Sequence, residues 1–145
     1  MSPNEETAVK SAHDVLPEGC KSDPASEEQL KNFESEFGSI PLDYRWYLLN
    51  CGGGVIGSEW IDGIGELPET HRKFQKGKDE GHHSLTNFFP VGWDGGGNPY
   101  GFDLDSEAIV TEDHGFGGIH READNFYELL TIKGLIKRVE QDGDG

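Results

Sequence analysis

Apolar residues follow a helical period early in the chain, lose it in the middle and regain it near the end. Leu30, Phe33 and Phe37 stand at i, i+3 and i+7 behind Ser26-Glu27-Glu28-Gln29. One apolar stripe therefore follows a capping box, with Ser26 accepting from the Gln29 amide while Gln29 reaches back to the Ser26 amide. Gly38 fits the left-handed position that closes such a helix. Pro41 suits the first turn of a second helix, where a missing N–H costs nothing. From Leu42 to Cys51 the chain is rich in large apolar residues. Tyr44, Tyr47, Leu48 and Cys51 share a face, and Leu42, Trp46 and Leu49 broaden it, so this helix is expected to be buried on most sides, with Trp46 and Phe37 inside. Gly52-Gly53-Gly54 stops it.

Beyond Val55 the period changes. Val55-Ile56 and Trp60-Ile61 read as short strands between glycines. Residues 67–83, with Pro68, three lysines and His82-His83, read as a loop or a short exposed helix. Phe88 to Trp93 reads as a strand entering a Gly95-Gly96-Gly97 turn. Tyr100 to Leu104 alternates large with small or polar residues, and Ala108 to Thr111 continues the pattern, so 88–112 predicts an antiparallel meander. Asp124 can cap a last helix with Phe126, Leu129 and Leu130 on one face; Leu135, Ile136 and Val139 extend it past Gly134 or form a separate short helix.

Two helices, then strands, then a helix predict an α+β fold: a central, mainly antiparallel twisted sheet with a C-terminal helix packed on it. The ends differ from the middle. Residues 1–22 are polar and show no sustained period, which predicts a flexible or loosely docked N-terminal arm. The domain is expected over 23–140, and 141–145 should fray. Only 33% of the chain is hydrophobic, and because the shortfall lies at the ends, a core in the middle remains affordable.

Charge narrows the partners. The chain carries 28 acidic and 12 basic residues, a net of −16. Phosphate backbones and anionic membrane surfaces would be repelled, so neither nucleic acid nor membrane is an expected partner, and a basic protein is. The N-terminus has neither a basic start nor an apolar run, so no signal peptide is expected, and a cytoplasmic protein with free Cys20 and Cys51 is the default.

Candidate chemistry is sparse. Cys51 closes an apolar helix and reads as a packed thiol rather than a nucleophile. The six histidines fall in no recognised ligand spacing; His114 and His120 could meet across a hairpin. Neither Gly52-Gly53-Gly54 nor Gly95-Gly96-Gly97 precedes the Lys-Ser/Thr of a phosphate loop. Asp94, Asn98, Asp103, Asp105 and Glu107 form an acidic series around a glycine turn, but the spacing fails the EF-hand frame. No catalytic residue, metal or cofactor is expected.

Four segments in order resemble the SUKH superfamily, which takes in bacterial immunity proteins and a fungal regulator of cell-wall synthesis. They are the helix Glu27–Gly38 with its Phe33-Glu34 and Phe37-Gly38; Ile40-Pro41-Leu42-Asp43-Tyr44 running to Gly53; Phe89-Pro90-Val91-Gly92-Trp93-Asp94-Gly95-Gly96-Gly97-Asn98; and Ala123-Asp124-Asn125-Phe126-Tyr127-Glu128-Leu129-Leu130. The resemblance covers about Pro24 to Ile132, and departs from the family pattern at Cys51 and Asn98. It implies an α+β fold and binding without catalysis, to a partner that is often a nuclease or other toxin domain made by the same cell. The alternative it leaves is a regulatory or scaffold domain of the cell-wall regulator type, for which residues 1–22 would serve as a recruiting arm.

A tight binder offers aromatic anchors ringed by charge. Trp93, Asp94, Asn98 and Tyr100 have that make-up, with Asp103, Asp105 and Glu107 close in sequence. Trp93 and Tyr100 could instead be core residues. The second candidate surface is Glu59, Trp60 and Asp62, with Glu66 nearby.

Overall fold

The computed structural model describes residues 1–57, 59–113 and 117–133. In chain order they form α1 (Pro3–Asp14), a 3-10 turn (Glu18–Cys20), α2 (Glu27–Phe37), α3 (Leu42–Asn50), β1 (Gly54–Ile56), β2 (Glu59–Ile61), α4 (Leu67–Asp79), β3 (Phe88–Trp93), β4 (Pro99–Asp103), β5 (Ile109–Glu112), β6 (Ile119–Ala123) and α5 (Phe126–Lys133). The fold is α+β. Strands β3-β4-β5-β6 make an antiparallel meander and β1-β2 a separate hairpin. Strand β6 goes beyond the expected meander.

The capping box of α2 forms: Ser26 Oγ accepts from the Gln29 amide at 3.1 Å and Gln29 Oε1 from the Ser26 amide at 2.9 Å. Leu30 and Phe33 are buried, whereas Phe37 is half-buried. Gly38 has φ +98 but ψ 177, so it closes the helix through positive φ without adopting the expected left-handed helical turn. Helix α3 is buried on one face only. Tyr44, Tyr47, Leu48 and Cys51 face inward as expected, but Trp46 is half-buried and Leu42 is 79% exposed. Asn125, not Asp124, caps α5: its Oδ1 accepts from the Glu128 amide at 2.8 Å. The extension through Leu135, Ile136 and Val139 lies outside the described residues.

The sheet buries both faces. Phe89, Val91, Tyr100, Phe102, Ile109 and Ala123 join α2, α3 and α5 in the main core. On the other face Val110 packs with Phe74 of α4 and Leu85, backed by Phe88 and Trp93. A register shift between Pro90 and Gly92 restarts the alternation, so that Trp93 joins Phe88 on this face although Val91, two residues before it, faces the main core. The segment expected as a loop or short exposed helix is thus a 13-residue helix. Leu67, Thr70 and Phe74 at i, i+3 and i+7 are its buried face, and Pro68 marks its first turn.

Residues 3–14 differ from the expected arm. Ser2 Oγ accepts from the Glu5 amide and Glu5 Oε1 from the Ser2 amide, so α1 opens on its own capping box. Val9 is fully buried, and Met1, Ala12 and Leu16 pack on the main core. The Met1 ammonium pairs with Asp43 at 2.7 Å, and the His13 ring donates from Nε2 to the Gly53 carbonyl at 2.9 Å. Burial lowers the His13 pKa, so the ring stays neutral in that bond. Amides from Val9 to Leu16 are expected to exchange slowly. His13→Ala, which leaves the Gly53 carbonyl without its partner, is expected to cost about 1–3 kcal/mol. Random-coil exchange rates across Ala12–Leu16 would return these residues to the status of a loose arm.

Candidate functional site

The acidic series that is continuous in sequence is split in space. Strand β4 separates Asp94 and Asn98 at one end of the sheet from Asp103, Asp105 and Glu107 at the other, because the β3–β4 and β4–β5 turns of a meander lie at opposite ends. At the second end Asp103 accepts from the Asp105 amide at 3.1 Å and from Ser106 Oγ at 2.9 Å, and Asp105 accepts from Asn87 Nδ2 at 2.6 Å. Glu107 is exposed and held at φ 65, a conformation that side-chain-bearing residues seldom adopt.

At the first end the two candidate surfaces become one. Glu59, Trp60, Trp93 and Asp94, with Val55, Gly57 and Gly95, line an open concavity of about 360 Å³. The main chains of β2 and β3 approach closely here. A Cβ at Gly92 would lie 2.7 Å from the Trp60 carbonyl oxygen, so only glycine lets the β2 main chain approach β3 this closely. Asp94 shapes the turn that carries it: Oδ1 accepts from the Gly96 and Asn98 amides, both at 2.9 Å, and Oδ2 from Asn98 Nδ2 at 3.1 Å. This is the local Asx geometry that such turns use. Trp93 is half-buried. Its Nε1 donates to Thr70 Oγ1 at 3.3 Å, and Lys73 Nζ lies 4.4 Å from its ring centroid. Trp60 is also half-buried and donates from Nε1 to Glu66 at 2.8 Å. Glu122 of β6 joins Glu59 and Asp94 around an adjoining small hollow. Its contribution was hidden because β6 is too polar to read as a strand.

Two expected contact residues face inward instead. Tyr100 is 4% exposed and its hydroxyl donates to the Trp60 carbonyl; as a ring on the core face of β4 it holds β2 in place and cannot anchor a partner. Asp62 is 6% exposed. Its amide donates to the Val91 carbonyl at 2.9 Å, its own carbonyl accepts from Tyr44 Oη at 2.7 Å, and its carboxyl accepts from Thr70 Oγ1. Burial pushes its pKa up to about 7. It is therefore a structural link from α3 through α4 to Trp93, not a surface carboxylate.

Cys51 is buried, and burial pushes its thiol up to about 12, which leaves it protonated and unreactive. Among the described residues no group of three or more His, Cys, Asp or Glu converges as metal ligands. His120 Nε2 lies 3.3 Å from the Gly117 carbonyl, and His114 falls outside the described residues. Nor is any described helix long and apolar enough to cross a membrane.

No curated protein matches the chain significantly. A family model does: that of the SMI1 / KNR4 family (SUKH-1), over residues 24–132, from just before α2 into α5 and leaving α1 outside. With most of its length and every strand of its sheet inside that match, the chain belongs to the SMI1 / KNR4 family (SUKH-1).

Proposed function

We propose that the chain is an immunity protein that binds a basic toxin domain, a nuclease being the class that suits its charge, and neutralises it by covering it, without catalysis. Membership of the family supports an immunity or regulatory protein-binding role. The observation that carries the finer reading is the cleft that Trp60 and Trp93 line together with Glu59 and Asp94. Half-exposed tryptophans supply large contact area at little entropic cost, and a carboxylate rim steers a cationic partner on encounter. A net charge of −16 extends that attraction beyond contact distance. The regulatory alternative drew on residues 1–22 as a recruiting arm, and α1 is instead packed on the core.

The test is neutralisation and binding of the cognate toxin domain. Glu59→Gln with Asp94→Asn removes charge at the cleft while Asn keeps the turn-forming acceptor. This variant is expected to slow association several-fold at low salt and to flatten its salt dependence. Trp60→Ala is expected to weaken affinity by about 2 kcal/mol or more, mainly through dissociation. Association of the double variant at the wild-type rate at low salt would remove the cleft as the docking surface. Failure to protect cells against any toxin domain encoded beside the gene would remove the toxin reading itself.

A further inference from the structure

Among the described residues the large hydrophobic side chains left exposed are Val15, Leu42, Leu104 and Ile119. Two of them meet. Leu42 and Leu104, 79% and 43% exposed, line one hollow of about 270 Å³ together with Ile40 and Pro41. Different elements place them there. Pro41, at φ −53, turns the chain into α3 and sets Leu42 on its first turn, outside the buried face. Leu104 follows β4 and is fixed by the hydrogen bond that its backbone N–H donates to the Asn87 carbonyl at 2.9 Å. The rim is of one sign: Asp103 and Glu107 line the hollow and no Lys or Arg does. It lies at the opposite end of β4 from the tryptophan cleft.

A hollow of this size is smaller than the usual small-molecule pocket and suits one inserted side chain. Its leucine walls favour an apolar group, because burying them removes apolar surface from water. Its carboxylates favour positive charge next to that group, and an acidic neighbour would be repelled. We infer that the Leu42–Leu104 hollow is a second docking point, which takes a large apolar side chain flanked by Lys or Arg on a segment of a partner protein. This goes beyond the toxin reading and does not depend on it.

The test needs no toxin. A library of short random peptides displayed on phage is panned over the full chain, and the enriched peptides are synthesised and titrated by fluorescence anisotropy. Enrichment of Lys or Arg beside a large apolar residue is expected. Leu42→Ser with Leu104→Ser, both at exposed positions, is expected to lower the affinity of such peptides about tenfold or more. Glu107→Lys alone should lower it several-fold at low salt and less at high salt, while Glu59→Gln with Asp94→Asn should leave it unchanged. Four results overturn the inference: no enrichment, enriched peptides without cations, equal binding to the leucine double variant, or a dimer of the chain that this variant dissolves. Neutralisation that fails while the peptides still bind the hollow would sink the toxin reading and leave this one standing.

Discussion

Phe126→Ala is expected to destabilise the protein by about 3–5 kcal/mol, a large share of the roughly 5–15 kcal/mol that holds a domain folded. Phe126 is 1% exposed. Its ring centroid lies 5.8 Å from that of Tyr44, 5.5 Å from that of Tyr47 and 5.6 Å from that of Phe102. One side chain therefore ties α5 to α3 and to β4. Removing it loses the transfer energy of the ring and leaves a cavity between three layers that cannot all close in. Phe126→Leu should cost markedly less, because most of the volume stays. Phe37→Ala and Trp46→Ala should also cost less than Phe126→Ala, since both side chains are half-buried. The measurement is the urea midpoint with an unchanged slope. A Phe126→Ala loss below about 1 kcal/mol would mean that α5 contributes little to the core.

Helix α2 was legible because two independent signals agree there, a capping box and an apolar stripe. The same signals stand at α1, in Ser2-Pro3-Asn4-Glu5 and in Val9, Ala12, His13 and Leu16. They are muted because alanine and histidine are weak markers of a buried face, so the segment reads as polar. In α4 the buried positions are Leu67, Thr70 and Phe74 amid lysines, and a threonine in the middle of a stripe conceals it. Strands β3 to β5 show their alternation. Strand β6 does not, since Ile119, His120 and Arg121 are exposed and backbone pairing holds it.

The site was less legible than the fold. Asp94 and Asp105 are close in sequence, but the five-residue strand between them, rising about 3.3 Å per residue, sends them to different ends of the sheet. Trp60 and Trp93 are far apart in sequence and line one cleft because Gly92 admits the β2 main chain beside β3. Asp62 looks like a surface residue in composition, and Tyr100 reads equally as an anchor or a core ring. What places them inside is the set of polar partners awaiting them, the hydroxyls of Tyr44 and Thr70 and the Trp60 carbonyl, and a sequence does not display such partners.

Asp62→Asn is expected to raise stability at neutral and mildly alkaline pH and to leave it nearly unchanged at pH 4. In the folded protein burial lets the Asp62 carboxyl hold its proton up to about pH 7, against an ordinary aspartate value of 3.8. Between those values the folded state binds more protons than the unfolded state, so stability falls as pH rises. The contribution is fully present below the unfolded pKa and is lost once pH has passed the folded one. At about 1.4 kcal/mol per unit the loss is at most about 4 kcal/mol. Asparagine stays neutral, and its side-chain oxygen still accepts from Thr70, so the variant should escape this loss. His71 works in the opposite direction. Burial lowers its pKa to about 4, while its Nε2 bonds the Pro90 carbonyl at 3.0 Å. Its contribution is present above the unfolded pKa of 6.5 and is lost as pH falls towards 4. In the wild type the two slopes oppose each other between about pH 4 and 6.5, and they flatten the profile. Removing Asp62 should unmask the histidine, giving a variant whose melting temperature climbs with pH across that interval. The background repulsion among the remaining surface carboxylates is common to both proteins and cancels in their difference. The decisive quantity is therefore the difference in unfolding free energy between Asp62→Asn and wild type at pH 4, 6 and 8. A difference that stays constant from pH 4 to 8 would show that Asp62 is ionised in the folded protein, and that the Asp62–Thr70–Trp93 chain carries a charge rather than a proton.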